Sequence, residues 1–129
     1  MKADTMLEVK TDIVTVLIAS GYSFYNEVAP PDSVYPFVTF EINNSFADDS
    51  TEQVILYLDG WDLFSRTSST MELETMMSDI LKLLQHRKHV VSNNFGFWYN
   101  LDSRKDLRDP ESDIRRRRHQ YQIRVFGRE

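Results

Sequence analysis

Two kinds of side chain in this sequence could carry metal or acid–base chemistry, and each lacks the partners that such chemistry needs. The histidines are His86, His89 and His119, and no fourth ligand stands near them at a spacing known from zinc sites. Asp59 and Asp62 could form a carboxylate pair, but neither a base nor a nucleophile accompanies them. We therefore predict surface or helix-terminal histidines, solvent-facing turn aspartates and no metal site.

Nucleophiles and phosphate-binding loops are missing as well. The serines of "SRTSST", residues 65–70, lack the strand–turn–helix elbow of nucleophilic hydrolases and are predicted to cap a helix. The four glycines are scattered and form no phosphate loop. Because the chain has no cysteine, disulfides and thiolate chemistry are excluded. The sequence predicts a protein that is not an enzyme and uses no cofactor.

Four consecutive arginines, Arg115 to Arg118, are the strongest chemical signal in the chain. They enter a predicted strand, so Arg115 and Arg117 should project to one side and Arg116 and Arg118 to the other. Three interpretations remain open: a solvated basic edge strand that prevents aggregation, a contact with an acidic protein partner, and sequence-independent contact with nucleic-acid phosphates. The net charge of −5 argues against a free DNA-binding protein.

Charge is distributed unevenly along the chain. Residues 1–50 carry a net charge of −6, residues 51–101 carry −2 and residues 102–129 carry +3. An acidic first section and a basic last section suit head-to-tail contacts between copies. At 129 residues, with acids inside the N-terminal hydrophobic pattern and no apolar run long enough to span a membrane, we expect one soluble domain, residues 1–129, without a signal peptide.

Hydrophobic periodicity places the elements that must position these residues. Apolar residues three and four apart predict a helix from about Asp4 to Ser20. Period-two alternation predicts strands, with Gly60 as a bulge or bend inside the second of the longer ones. These strands are a short one in 22–28 and longer ones in 37–42, 54–64, 94–102 and 119–127. Polar loops are predicted at 43–51 and 103–113.

The clearest helix is predicted within residues 65–89, with Ser68 or Ser69 as its cap. Its predicted buried stripe consists of Met71, Met76, Ile80, Leu83 and Leu84. The order of helix, strands, helix and strands predicts an α+β fold: a single domain of one antiparallel sheet with two helices packed on one face.

Aromatic residues occupy both faces of the strand predicted at 94–102. Phe95, Phe97 and Tyr99 share one face, and Gly96 and Trp98 share the other. We expect burial on two sides, by the helices on one and by a neighbouring subunit on the other.

Together these elements resemble the tail terminator, or tail-completion, proteins of long-tailed bacteriophages. A proline-rich turn leads to a "YP-apolar-V" strand, matched by "YPFV" at residues 35–38. A strand ending near a tryptophan then runs through Ser/Thr residues into an amphipathic helix, matched by residues 61–84. The resemblance covers residues 5–126. The Asp59-Gly60 insertion before Trp61 and the arginine run depart from the family pattern.

The resemblance implies assembly rather than catalysis. Such proteins cap the growing tail tube as a ring, often of six copies, and join the tail to the head connector while DNA passes through the lumen. It places the protein at the head–tail junction of the virion, after assembly in the host cytoplasm and without membrane contact. A ring of this kind needs two different complementary surfaces on each copy.

Three segments are the expected contacts with a neighbouring copy, the tail tube protein, the head connector or passing DNA. They are the loop with Asp48 and Asp49, the loop with Arg104 and Lys105, and the run Arg115 to Arg118. Replacing all four arginines of the run with glutamine is expected to impair assembly and leave the fold intact. The alternative function is a head-side connector or adaptor protein. A small-molecule enzyme and a regulatory nucleic-acid binder rank third and fourth.

Overall fold

The computed structural model describes residues 5–46, 52–92, 95–108 and 112–127. Two helices and six strands follow one another in these ranges. They are α1 (Thr5–Ser20), β1 (Phe24–Asn26), β2 (Phe37–Phe46), β3 (Glu52–Leu63), α2 (Met71–Leu84), β4 (Lys88–Ser92), β5 (Phe95–Arg108) and β6 (Ile114–Phe126).

All six strands form one sheet in the order β1-β2-β3-β6-β5-β4. The neighbouring pairs β2–β3, β3–β6, β6–β5 and β5–β4 are antiparallel, and β1 is parallel to β2. The predicted α+β class is confirmed, but the prediction of a purely antiparallel sheet is wrong at this edge. Parallel neighbours need a connection that returns the chain to the end where it started, and residues 27–36 supply one.

Both helices pack on the same face of the sheet, which we call the covered face; the opposite one is the open face. Alternation in β3 sends Val54, Leu56 and Leu58 into the core between sheet and helices, where none of them is exposed. Directly opposite residues of antiparallel strands share a face, so Ile123 and Tyr121 of β6 join this core. The two-helix arrangement on one face is therefore confirmed.

Helix α2 is shorter and rotated relative to its prediction. The N-cap residue is Thr70, whose side chain makes no capping hydrogen bond, so the prediction of Ser68 or Ser69 as the cap is wrong. The Ser69 hydroxyl instead accepts a hydrogen bond from the Met71 amide at 3.1 Å. Met71 and Leu83 are 68% and 42% exposed, which contradicts their place in the predicted stripe. The buried stripe is Leu73, Met76, Met77, Ile80 and Leu84.

The predicted helical end of α2 is a strand instead. Gln85 is extended, His86 has a φ of 62°, and the following residues form β4 on β5. The helix stops there because the next residues form backbone hydrogen bonds with β5. The local sequence pattern does not show this long-range pairing.

Two predicted loops are partly strand. β2 continues through Phe46, and β5 continues to Arg108, opposite Arg115 of β6. Long-range pairing extends these strands beyond the apolar alternation that marks their first halves. Of the remaining loop positions, 47–51 and 109–111 lie outside the described residues.

Gly60 forms no bulge, because the register of β3 is continuous with both neighbours. A Cβ atom at Gly60 would lie 2.5 Å from the Met77 sulfur, so the glycine gives α2 room to approach the sheet. The register shifts elsewhere, between Val90 and Ser92 of β4 and between Leu101 and Ser103 of β5. Beyond the bulge in β5 the even-numbered residues of this strand face the helices.

Candidate functional site

The arginine run lies in the middle of the sheet. β6 pairs with β3 on one side and with β5 on the other, so the interpretation as an edge strand is wrong. The predicted alternation is confirmed: Arg116 and Arg118 project onto the open face, and Arg117 faces α2. Sequence alone could not place β6 inside the sheet, because both of its neighbours are set by long-range pairing.

On the open face, Arg116 and Arg118 hold a single carboxylate between them. Arg116 Nη2 lies 2.5 Å from Asp59 Oδ2, and Arg118 Nε lies 2.9 Å from Asp59 Oδ1. Their guanidinium groups also stack on aromatic rings, Arg116 at 4.6 Å from Trp61 and Arg118 at 4.8 Å from Tyr57. The hydrogen bond to Asp59 raises the pKa of Arg118. We call these five residues the arginine cluster.

The remaining two arginines also have partners in the chain. Arg117 is only 8% exposed, and its Nε lies 2.7 Å from Glu74 of α2 and 2.9 Å from Asp106 of β5. Arg115 stacks over the Phe64 ring at 4.5 Å. Replacing all four arginines would therefore remove the β6–α2 ion pair, contrary to the expectation that the fold would stay intact.

Asp59 and Asp62 are buried strand residues, which overturns the prediction of solvent-facing turn aspartates. They lie three apart in β3 and so project to opposite faces, which prevents them from acting as a pair. Burial alone would raise the pKa of Asp62, but hydrogen bonds from the Arg66 side chain and the Leu63 amide hold it below its ordinary value. Its role is to anchor Arg66 at 2.7 Å.

His119 is also buried, contrary to the prediction of a surface histidine. Burial and the nearby positive charge of Arg104 lower the pKa of His119 to about 4. His89 has a different partner: its Nδ1 lies 3.4 Å from Asp12 Oδ1 of α1. Within the described ranges, no three His, Asp or Glu side chains come together in a group that could hold a metal ion.

The two basic residues predicted in a loop are strand residues on different faces. Arg104 stands directly opposite His119 on the covered face, and Lys105 stands opposite Arg118 on the open face. Both line a cavity of about 280 Å³ between α2, β5 and β6. The other two predicted contact residues, Asp48 and Asp49, lie outside the described residues.

A second group of side chains on the open face is apolar and exposed. Trp98 is 46% exposed, Val90 and Phe126 are exposed beside it, and Lys88 stacks over the Phe126 ring at 5.1 Å. We call these four residues the aromatic patch. The predicted division of β5 between two faces is confirmed, since Phe95, Phe97 and Tyr99 are buried on the covered face. Burial of Trp98 by a neighbouring subunit stays a prediction.

A buried hydrogen-bond network connects α1 to Arg87, just before β4, and to Tyr99 of β5. The sequence did not reveal it. The Asp12 carboxylate accepts hydrogen bonds from Arg87 at 2.8 and 3.1 Å and from the Tyr99 hydroxyl at 2.7 Å. Burial raises the pKa of Asp12, but these donors outweigh it and hold the pKa below its ordinary value. The available signal was an acid next to Ile13 in an otherwise apolar helical stripe.

Comparison with known proteins gives a fold and no family. No family model matches the sequence, and no curated protein matches it. Among solved structures, the fold is similar to that of a chain in the virion of a native gene transfer agent (GTA) particle. The TM-score is 0.61 with 13% sequence identity, over 89% of this chain and 84% of that one. No helix in the described ranges is long and apolar enough to cross a membrane.

Proposed function

We propose that this protein is a non-enzymatic structural protein of a phage-like virion, which caps the tail tube as a ring and joins the tail to the head. The observation that carries the proposal is the similarity of fold, over 89% of the chain, to a chain in a gene transfer agent virion. The order of elements that resembles tail terminators supports the more specific role. The protein would act at the head–tail junction of the virion.

The distribution of side chains supports a role in assembly. The open face carries no helix among the described residues, and it presents the arginine cluster at one end of β6 and the exposed aromatic patch at the other. Interfaces are enriched in aromatic residues and arginine at their centres, where such side chains bury large areas. We assign the aromatic patch to the contact with a neighbouring copy, and the predicted contact residues Asp48 and Asp49 to the contact with the tail tube or head connector.

Contact with passing DNA is a weaker part of the proposal. Asp59 already neutralises one of the two charges of Arg116 and Arg118, so the arginine cluster carries a net charge of +1, to which Lys105 adds a second. So small an excess suits transient, sequence-independent contact with phosphates.

Electron microscopy of particles made without this gene tests the proposal. Overlong tails beside unattached, DNA-filled heads are expected for a protein that closes the tail. Tails of normal length beside heads that leak DNA would identify a head-side connector instead. Intact virions in normal numbers would overturn both roles.

Native mass spectrometry of the purified protein, alone and with tail tubes, tests the ring. We expect a closed oligomer in at least one of the two samples, because a head-to-tail contact that closes gives one discrete mass. An open series of masses, or a monomer under both conditions, would contradict ring formation. The Arg116→Gln/Arg118→Gln variant, which spares the buried Arg117, then tests the arginine cluster through particle infectivity.

A further inference from the structure

Among the described residues, three buried side-chain polar atoms have no hydrogen-bond partner, and two of them lie close together on the covered face. These two are Nδ1 of His119 and the hydroxyl of Tyr121, two residues apart in β6 and hence on the same face. Their rings lie 6.3 Å apart, and both side chains are more than nine-tenths buried. Buried polar groups are normally hydrogen-bonded, so the exception at His119, which also lines a cavity, indicates a place where a ligand supplies the missing partner.

The positive charge of Arg104 acts on both groups. Arg104 stands directly opposite His119 across the β5–β6 ladder, and it lines the same cavity of about 280 Å³. Its charge lowers the pKa of His119 and opposes the rise in the pKa of Tyr121 that burial causes. Among the described residues, Arg104 has no carboxylate partner of its own, unlike Arg117 beside it.

Two carboxylates also line the cavity, and both are already paired with an arginine. Glu74 and Asp106 both bind Arg117, at 2.7 and 2.9 Å. Among the described residues, the lining cations without a carboxylate partner are Arg104 and Lys105. Arg104 is the one on the face of His119, and a water molecule would not neutralise it. A guanidinium offers only donors, and a neutral imidazole can donate one hydrogen bond.

We propose that this cavity binds a small oxyanion, held by the Arg104 guanidinium and completed by the side chain of His119. Phosphate and carboxylate groups share the chemistry that this donor set recognises, since guanidinium pairs with either in a bidentate way. The site is independent of the proposed role in the virion: it would exist in the isolated chain.

Titration of the isotope-labelled full-length protein with inorganic phosphate, followed by NMR, tests the site. Ionic strength is held constant with chloride. We expect saturating shifts of the His119 ring and Arg104 side-chain signals with phosphate and none with chloride. Shifts that are linear with concentration, or that chloride reproduces, would overturn the proposal. Acetate as a second probe distinguishes the source: tighter binding of phosphate indicates a phosphate group, and tighter binding of acetate a carboxylate.

Two variants locate the donors. Arg104→Gln should weaken phosphate binding about tenfold or more, because a charge-assisted hydrogen bond contributes about that factor. The matched control is Arg124→Gln, an exposed arginine of β6 on the open face, which should bind as the wild type does. Equal affinity in Arg104→Gln and Arg124→Gln would overturn the site.

Tyr121→Phe removes only the hydroxyl that lacks a partner. It should leave phosphate binding unchanged, because Tyr121 does not line the cavity, and leave the stability in phosphate-free buffer unchanged or higher, because an unsatisfied buried group is removed. A several-fold loss of affinity for phosphate would overturn the assignment of the site to Arg104 and His119.

Discussion

Asp12 and Asp59 are buried carboxylates held by arginine on opposite faces of the sheet, and they connect different parts of the molecule. Asp12, 3% exposed, lies on the covered side and joins α1 to Arg87 and to Tyr99 of β5. Asp59, 6% exposed, lies on the open face and binds cross-strand neighbours in β6. The first network holds separate elements together, whereas the second neutralises charge within a sheet that its backbone already holds.

The largest expected effect is therefore at Asp12. Asp12→Ala should lower the free energy of unfolding by about 3 kcal/mol, because it leaves Arg87 and the Tyr99 hydroxyl without their acceptor. Urea unfolding measures this. The control is Glu8→Ala on the same helix, which should change stability by less than roughly 0.5 kcal/mol. Equal losses in the two variants would show that the network does not tie α1 to the sheet.

The pH dependence of stability tests the covered face at His119. Its pKa in the folded protein, about 4, lies below the ordinary value of 6.5, so the unfolded chain binds more protons between these limits. Stability should fall by on the order of 3 kcal/mol as the pH falls through this window, and the loss should be complete below about 4.

The His119→Gln variant isolates this contribution. Urea unfolding of both proteins across the window, in phosphate-free buffer, should give a steeper dependence on pH for the wild type. Parallel curves would mean that His119 takes up its proton as easily in the folded protein as in the unfolded one.

A smaller effect on stability is expected at Asp59. Asp59→Asn should cost about 1 to 2 kcal/mol, since Arg116 and Arg118 lose a charged acceptor but remain partly open to water. It should also lengthen retention on heparin at low salt, because two arginines become free to bind a polyanion. The control is Asp102→Asn, an exposed acid on the same face. Matched retention times would indicate that Asp59 does not shield the arginine cluster.

The smallest effect on the folded monomer is expected at Trp98. Trp98→Ser should change the free energy of unfolding by less than roughly 0.5 kcal/mol, because the side chain is half-exposed on the open face. Self-association measured by sedimentation should weaken, if the aromatic patch meets a neighbouring copy as proposed. Val34→Ser, at an exposed apolar residue in the turn before β2, is the control. Unchanged sedimentation of Trp98→Ser would remove the aromatic patch from the interface.

The contrast between the faces also explains what could be predicted from the sequence. The covered face follows local periodicity, so α1, α2 and the apolar halves of the longer strands are visible in the pattern. β4 is visible only through its pairing with β5, and its basic residues look like the end of α2. The parallel placement of β1 likewise depends on where β2 lies, which no local pattern encodes.

At the candidate site, the sequence predicts the face of the sheet to which each arginine projects, but not the side chain that binds it. The alternation of the arginines follows from strand geometry alone. Their acceptor, Asp59, is 57 residues from Arg116 and 59 from Arg118, and only the register of β3 with β6 brings them together. The burial of His119 depends on α2 lying over β6, and therefore on the tertiary fold.

The bulge in β5 changes which positions of the strand face the helices. One extra residue near Asp102 means that odd positions face the helices before it and even positions face them after it. Pairing without this bulge would send Arg104 to the open face and Lys105 to the covered face, with no change in composition. A single register error here would therefore dismantle the proposed anion site while every residue of that site stayed in the chain.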